Sequence, residues 1–430
     1  MVNSRLLKAV LFLGRVLAAA LDDLEEIEDP DEAAVTFLIG SLLAPFGIFE
    51  PQICLLARLL AEALERMREA NRLRFRPTFL RVDLLWPAES AALHTLNERH
   101  DAAYMQLFRV DVATFDFLNG IVAATSPEWF DARSSGRFNL NAPLCIAAAL
   151  AWLGSTCVHS WLQQLFGNTR SPMSRDIREG CLALLRALRT VREAAIEWPS
   201  PAEMEWYSQL VCQARDGPSP IRHCNIFGWV DGIRNRILQP GVAADQMANY
   251  NAWVGDTSVL SLFAFNPTGV IFYASVNHPG RAHDKAISGD FFAHLLDPAK
   301  TPAHMGVGGD SAFCSPRLLF KLWTRKRPAN WPAGYVDESE WIAFVKWLTA
   351  SRQAVEWGMR ALRGRWARMN VPMSNNAEER ADLIELIARL HNLVTRMVGA
   401  NQIRSVYMEA ALRHAAPGVS AEDVAEDFSH

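Results

Sequence analysis

The spacing of apolar residues divides the chain at about residue 216. Before that point, apolar residues recur at helical spacing of three or four, as in Leu55, Leu59 and Leu60 and again in Phe115, Leu118 and Val122. After it, short continuous apolar runs replace this period, which is typical of strands buried on both faces. The pattern therefore predicts a helical first half followed by a mixed α/β domain.

A tight turn at 167–168 joins two of the predicted helices in the first half. The pattern predicts helices at 142–153 and 159–166, and the second of these ends at Gly167-Asn168. The next helix is predicted to begin with Ser171 as its cap and Pro172 in its first turn. Two helices joined in this way are typical of a helix-turn-helix.

This segment is basic in a chain that is acidic overall. The stretch from 158 to 192 contains six arginines and only two acids, Asp176 and Glu179. Such a patch suits contact with DNA phosphates, although the solvated face of an ordinary helical bundle has the same composition. The residues predicted to contact DNA are Arg170, Ser171, Ser174, Arg175 and Arg178.

The second half has the element order of a ribonuclease-H-like domain. Strands are predicted at 226–230, ended by Asp231, and at 259–265 and 270–276, joined by a turn at 266–269. A helix from Asp284 to about Leu296, a strand at 305–309 ended by Asp310, and a long helix at about 340–368 follow. A three-stranded meander followed by a helix, a strand and a helix is the order in which the ribonuclease-H-like fold begins.

Four acids fall at the ends of these elements or on the last helix: Asp231, Asp284, Asp310 and Glu356. Phosphodiester cleavage by two divalent ions needs several converging carboxylates, and hard oxygen ligands select Mg²⁺ or Mn²⁺. In this fold the first and fourth strands are neighbours, so Asp231 and Asp310 should face each other, with Glu356 coming from the helix. Asp284 is then a fourth ligand or a group that orients a ligand.

The last predicted helix is also rich in arginine. Glu356 has Arg352 four residues before it and Arg360 four residues after it, so an ordinary surface ion pair is the alternative to metal binding. Five arginines lie between 351 and 370, and Arg352, Arg360 and Arg363 are predicted DNA contacts. Simple solvation of the helix explains them about as well.

Composition narrows the class of protein further. A length of 430 residues predicts two or three domains, and 50% hydrophobic with 21% charged residues suits a globular chain. The net charge of −4 requires any DNA site to be a local patch. Seven scattered cysteines lack zinc spacing, which argues against a structural zinc or a disulfide framework. No membrane span is predicted.

An ordered set of motifs in the second half resembles the DDE nuclease domain of PIF/Harbinger-type transposases. The set consists of 228–232 (GWVDG), 246–253, 263–269 (FAFNPTG), 279–284 (PGRAHD), 309–313 (GDSAF), 352–358 (RQAVEWG), 389–393 (RLHNL) and 399–404 (GANQIR). The upstream helices around Phe166-Gly167 and 173–175 are similar to that family's helix-turn-helix region. One departure is that Trp357-Gly358 follows Glu356 directly, where the family often has two variable residues and then Phe-Gly.

The resemblance implies a fold and an activity. The expected fold is an α/β ribonuclease-H-like nuclease domain, a mixed five-stranded sheet with flanking helices, preceded by an all-α N-terminal region that contains a helix-turn-helix-like segment. The predicted domains are a helical extension with an acidic linker (1–95), a helical DNA-binding region (96–215), the nuclease domain (216–408) and a tail (409–430). The expected activity is Mg²⁺- or Mn²⁺-dependent cleavage of transposon ends and transfer of the 3′-hydroxyl to target DNA.

The family's acids map onto Asp231, Asp284, Asp310 and Glu356, and all four positions are filled. The predicted partners are double-stranded DNA, a Myb-like DNA-binding protein and a second copy of the chain, and the predicted location is the nucleus. A domesticated DNA-binding or adaptor protein that keeps the fold without the chemistry is the alternative.

Overall fold

The computed structural model describes residues 90–134, 140–157, 159–215, 217–221, 224–252, 254–313, 315, 318, 320–327 and 336–415. These residues all belong to one compact unit, Leu85–His430. The predicted acidic linker and the helices expected before residue 90 lie outside the described residues, as does most of the predicted tail. No helix in the described ranges combines the length and apolarity needed to cross a membrane.

The elements that precede the sheet, among the described residues, are helical. They are α1 (Ala91–Glu98), α2 (Asp101–Leu107), α3 (Val112–Thr125), α4 (Pro127–Ser134), α5 (Ala142–Leu153), α6 (His159–Phe166), α7 (Arg170–Leu188) and α8 (Pro201–Ala214). The bounds of α5 and α6 are those predicted from the sequence. The α5 helix is almost entirely buried, which explains its uniformly apolar sequence.

The start of α7 differs from the prediction. Ser171 was expected to cap this helix, but the helix begins at Arg170 and Thr169 is the extended residue before it. Ser171 and Pro172 therefore lie inside the first turn. Proline is tolerated there because the first-turn amides have no partner within the helix.

The second half contains a mixed sheet. Its strands are β1 (Asn225–Arg236), β2 (Tyr250–Asn251), β3 (Asp256–Phe265), β4 (Ile271–Pro279), β5 (Met305–Gly308) and β6 (Leu322–Trp323). The order β4–β3–β1–β5–β6 is antiparallel among the first three and parallel among the last three. The sheet has six strands where five were expected. The two strands without a counterpart among the predicted apolar runs are β2, which pairs with the first two residues of β3, and β6, which pairs with β5.

Helices flank this sheet. They are α9 (Ala243–Asn249), α10 (Asp284–Ile287), α11 (Gly289–Leu296), α12 (Glu338–Arg365), α13 (Ala377–Met397) and α14 (Gln402–His414). The α12 helix packs on β1, β3 and β5, while α13 packs on β4. Close approach of α12 depends on Gly358, since a Cβ at that position would come within 2.9 Å of the Phe265 ring. The mixed sheet with flanking helices is compatible with the expected ribonuclease-H-like domain.

The first strand is longer than predicted. Asp231 was expected to end it, but β1 continues to Arg236, and Asp231 is paired with Phe263 of β3 in the middle of the strand. The apolar Ile233 and the buried Asn235 continue the inward alternation beyond the aspartate. On the other side, the parallel pairing with β5 ends at Trp229 and Gly308. Asp231 therefore lies two residues beyond the last residue of β1 that pairs with β5.

Candidate functional site

Asp231 and Asp310 are brought together by the parallel pairing of β1 with β5. Trp229 is the last residue of β1 paired with β5, and its partner Gly308 precedes Gly309 and Asp310. Each aspartate thus follows the end of this pairing by two residues, on neighbouring strands. The prediction that the first and fourth strands lie side by side is confirmed.

Arg352 of α12 lies between these two aspartates. Its Nη2 is 4.0 Å from Asp231 Oδ2, and its Nη1 is 3.8 Å from Asp310 Oδ1. The arginine side chain is only 9% exposed, whereas those of Asp231 and Asp310 are 30% and 41% exposed. One guanidinium therefore bridges two carboxylates at the end of the β1–β5 pairing.

Backbone amides hold one oxygen of each aspartate. Gly232 N–H donates to Asp231 Oδ1 at 2.8 Å, and Ser311 N–H donates to Asp310 Oδ1 at 2.6 Å. The Ser311 hydroxyl lies 3.3 Å from the same Asp310 oxygen. These contacts fix the orientation of both carboxyl groups by the conformation of the chain itself.

The Asp231 carboxyl has an unusual pKa. Burial, with smaller contributions from the nearby charges of Asp284 and Asp310, raises this pKa from its ordinary value to about 6. The Gly232 amide and the Arg352 guanidinium act in the opposite direction. A carboxyl that is costly to ionise, beside two more carboxyls, is typical of a functional site that accepts a positive charge.

Asp284 approaches the strand from its other face. A Cβ on Gly232 would overlap the Asp284 carboxylate, so this side chain lies against Gly232. Successive residues of a strand point to opposite faces, which places Asp284 opposite Asp231 across β1. Burial raises the pKa of Asp284, the Arg234 charge lowers it, and the Asp310 charge raises it. Asp284 therefore interacts electrostatically with the other acids while its carboxylate lies on the Gly232 face of β1.

Glu356 lies one helical turn after Arg352, on the exposed side of α12. Within the described residues it forms no ion pair with Arg352 or Arg360, so the surface-pair alternative has no support here. Instead, Glu356 lines an open cavity of about 690 Å³ together with Asp231. The cavity therefore extends from the Asp231 carboxylate on β1 to the exposed face of α12.

The lining of this cavity also contains basic residues. They are Arg234 of β1 and Arg360 and Arg363 of α12. Arg234 Nη1 donates to the Gly280 carbonyl at 2.6 Å, and Arg363 donates to the Arg234 carbonyl. The cavity therefore has acidic groups and fixed guanidinium groups within one opening.

Sequence reasoning missed Arg234 and placed Arg352 on a DNA-binding surface. A signal for Arg352 was present, since the buried residues Leu348, Ser351 and Val355 set a stripe to which position 352 also belongs. An arginine in such a stripe needs a buried anionic partner. No comparable signal marks Arg234, which alternates with the buried Ile233 and Asn235 as a solvent-facing strand residue does.

The donor chemistry and the grouping of the acids give different answers about a metal. Carboxylate oxygens suit a hard divalent cation, and the ionised form of the half-buried Asp231 needs a compensating charge. Among the described residues, however, no three His, Cys, Asp or Glu side chains group closely enough to hold a metal ion. Asp231 and Asp310 share Arg352, and Asp284 interacts electrostatically with both of them. Glu356 lines the same cavity as Asp231 from α12.

The DNA contacts predicted on α7 lie on one face of the helix. Arg170, Ser171, Ser174, Arg175 and Arg178 are all exposed. Arg175 Nε is 3.6 Å from Asp176 Oδ1, and Arg178 Nη2 is 3.7 Å from Glu379 Oε1 of α13. Directly after the end of α7, Arg189 pairs with Glu385 of α13 at 2.6 Å. Acids of α13 therefore offset part of the basic face.

Comparison with known proteins gives one match. Residues 230–392 match the model of a family described as DDE superfamily endonuclease. No curated protein and no solved structure matches the chain. The matched range contains Asp231, Asp284, Asp310 and Glu356, and it supports a transposase-like DNA nuclease in general for this part of the chain.

Proposed function

We propose that this protein is a divalent-metal-dependent DNA endonuclease of the PIF/Harbinger type, which cuts DNA at transposon ends and transfers the freed 3′-hydroxyl to a target. The observation that supports this best is the placement of Asp231 and Asp310 at the end of the β1–β5 pairing, within a range similar to DDE endonucleases. A nuclease domain of that kind implies DNA as the substrate.

Asp231 and Asp310 would hold the metal, with Glu356 completing the set from α12. The Gly232 and Ser311 amides orient the two aspartates. Bound Mg²⁺ or Mn²⁺ supplies activation of the attacking oxygen and neutralisation of the leaving one. Asp284 acts as a positioning residue, because its carboxylate lies against Gly232 and within the electrostatic reach of Arg234.

The basic residues that line the cavity would bind the DNA backbone. Arg234, Arg360 and Arg363 line the same opening as Glu356, so a phosphate held by them lies beside the acidic groups. Two of these arginines are tethered to backbone carbonyls, which reduces the entropy lost when they bind a phosphate.

The exposed face of α7 supports a second DNA contact. Its arginines and serines would bind phosphates away from the scissile bond and set the register of the duplex. Because the whole chain is acidic, we propose that a Myb-like protein assists end binding and nuclear entry, and that two copies of the chain act on the two ends.

The test is cleavage of a supercoiled plasmid that carries the DNA flanking this gene. The full chain is expected to nick and cut the plasmid in Mg²⁺ or Mn²⁺, with no cleavage in EDTA. Asp231→Asn, Asp310→Asn and Glu356→Gln should each lower the rate by more than about a hundredfold. Ligation products that join the flanking ends to a second plasmid would report strand transfer.

A matched control is Glu409→Gln, which neutralises an exposed glutamate of α14 and should cut at the wild-type rate. Circular dichroism and DNA-binding measurements on every variant separate loss of chemistry from loss of fold or of affinity. Metal-dependent cutting by Asp231→Asn or Asp310→Asn at the wild-type rate contradicts the proposal. Binding without any cutting by the wild-type chain favours the domesticated alternative.

A further inference from the structure

The guanidinium of Arg352 lies where the proposed function requires a metal cation. It is the group between Asp231 and Asp310, and its nitrogens lie 4.0 and 3.8 Å from oxygens of these two carboxylates. A cation that binds both carboxylates lies about 2.0–2.6 Å from their oxygens, closer than the 3.8 and 4.0 Å of the arginine nitrogens. An ion and the guanidinium would therefore be neighbours of like charge.

The contacts of Arg352 with the carboxylates are long for an arginine pair. Both distances exceed the usual limit for a hydrogen bond, so the attraction is electrostatic and without directional bonds. The buried Nε of Arg352 has no hydrogen-bond partner in the described part of the chain. The guanidinium group is thus buried, but it is not held by hydrogen bonds to either carboxylate.

The same charge has a clear role when no metal is bound. Two carboxylates at the end of one strand pairing repel each other, and Asp231 is costly to ionise in its half-buried place. A single positive charge between them offsets this repulsion without exposing the site. Arg352 can supply that charge because it belongs to the buried face of α12, which packs on β1 and β5.

We propose that Arg352 is the resident counter-ion of the Asp231–Asp310 pair, and that a divalent cation has to move its guanidinium aside in order to bind. This inference rests on the proposed function, since it concerns the same carboxylates. It assigns Arg352 a role distinct from contact with DNA. The cost of moving the arginine lowers the intrinsic affinity of the free protein for metal.

Removal of the positive charge should consequently tighten metal binding. Mn²⁺ alone is titrated calorimetrically into the full chain and into Arg352→Gln, with Arg352→Met as a second neutral variant should the first fail to fold. Each neutral variant is expected to bind Mn²⁺ about tenfold more tightly than the wild type, the equivalent of about 1.4 kcal/mol. Arg352→Lys keeps the charge and should stay within about twofold of the wild type.

Two controls make the outcome specific. Lys346→Gln removes one positive charge from an exposed position of the same helix and should leave Mn²⁺ affinity unchanged. Asp231→Asn should abolish the binding in every background. Thermal unfolding of each variant identifies those that fold.

The possible results separate the two claims. Neutral variants that bind Mn²⁺ as weakly as the wild type, or more weakly, overturn the counter-ion role and leave the metal site itself intact. Mn²⁺ binding that survives Asp231→Asn, or is absent from all variants, contradicts the metal site and so the proposed function as well.

Discussion

Gly232 lies directly against the carboxylate of Asp284, so that a side chain at position 232 would occupy the place of that carboxylate. The Gly232 amide also donates to Asp231 Oδ1 at 2.8 Å. One glycine of β1 therefore contacts two acids on opposite faces of the strand. This relationship separates a direct role of Asp231 from an indirect role of Asp284.

Gly232→Ala is expected to displace Asp284 while keeping the fold. The overlapping atoms belong to the end of a side chain that can rotate, so the free energy of unfolding should fall by only about 1 kcal/mol. Metal-dependent cleavage should fall by about 10- to 100-fold, as for Asp284→Ala, because the acid orients other groups. Equal loss in Asp284→Ala and Asp231→Asn would contradict this division of roles.

The raised pKa of Asp231 predicts how stability changes with pH in EDTA. In the folded protein this carboxyl keeps its proton up to about pH 6, whereas an unfolded chain loses it near pH 4. The folded state therefore binds more protons across this window, and its stability falls as the pH rises from 4 to 6. Asp284, Asp310 and Arg352 are the charged groups that act on it.

Asp231→Asn removes this titration. The variant and the wild type should have similar free energies of unfolding at pH 4, and the variant should be more stable by about 1–3 kcal/mol at pH 7–8. Urea unfolding at several pH values measures the difference. A gap between the two proteins that stays constant with pH would show that Asp231 titrates normally.

The helical region contains a buried ion pair that should matter for stability. Arg133 of α4 donates to Asp176 Oδ1 of α7 at 2.8 Å, and both side chains are 1% exposed. Arg133→Met leaves the Asp176 charge without its buried partner, which should cost about 3–5 kcal/mol in urea unfolding. Arg178→Met removes the exposed ion pair between Arg178 of α7 and Glu379, and it should cost less than about 1 kcal/mol. Similar losses in both variants would contradict this contrast.

Glu379 of α13 should weaken DNA binding by the basic face of α7. Its Oε1 lies 3.7 Å from Arg178, so Glu379→Gln would release that arginine for a phosphate. Affinity for duplex DNA, measured by fluorescence anisotropy, should rise about two- to threefold. Glu378→Gln makes the same change of net charge at the adjacent exposed residue and serves as control. An equal rise in both variants would mean that only overall charge matters.

The sequence was a good guide wherever a local signal decided the outcome. Helices α5 and α6 have the predicted bounds, and the turn at 266–269 forms because the Asn266 side chain accepts from the Thr268 and Val270 amides while Gly269 adopts a positive φ of 84°. The side-by-side placement of β1 and β5 followed from the fold that the element order indicates. These features depend on neighbours in the chain or on topology.

The errors arose where tertiary pairing overrides a local signal. The apolar run from 226 to 230 predicted that the strand ends at Asp231, but pairing with β3 continues the strand to Arg236. The strand β2 at Tyr250–Asn251 was not predicted. It forms because β3 begins at Asp256, before the apolar run that starts at 259, and so offers it a partner. The location of Arg352 between Asp231 and Asp310 depends on the rotation of α12 over the sheet, which no single stretch of sequence specifies.

The central claim is that Asp231 and Asp310 form one cation-binding pair. The most direct test is an anomalous difference map from crystals of the full chain soaked in Mn²⁺. The account predicts a Mn²⁺ peak bound by carboxylate oxygens of both aspartates, with the Arg352 guanidinium moved away from them. A map in which these two carboxylates bind no ion, or in which Mn²⁺ lies only elsewhere on the protein, would contradict it.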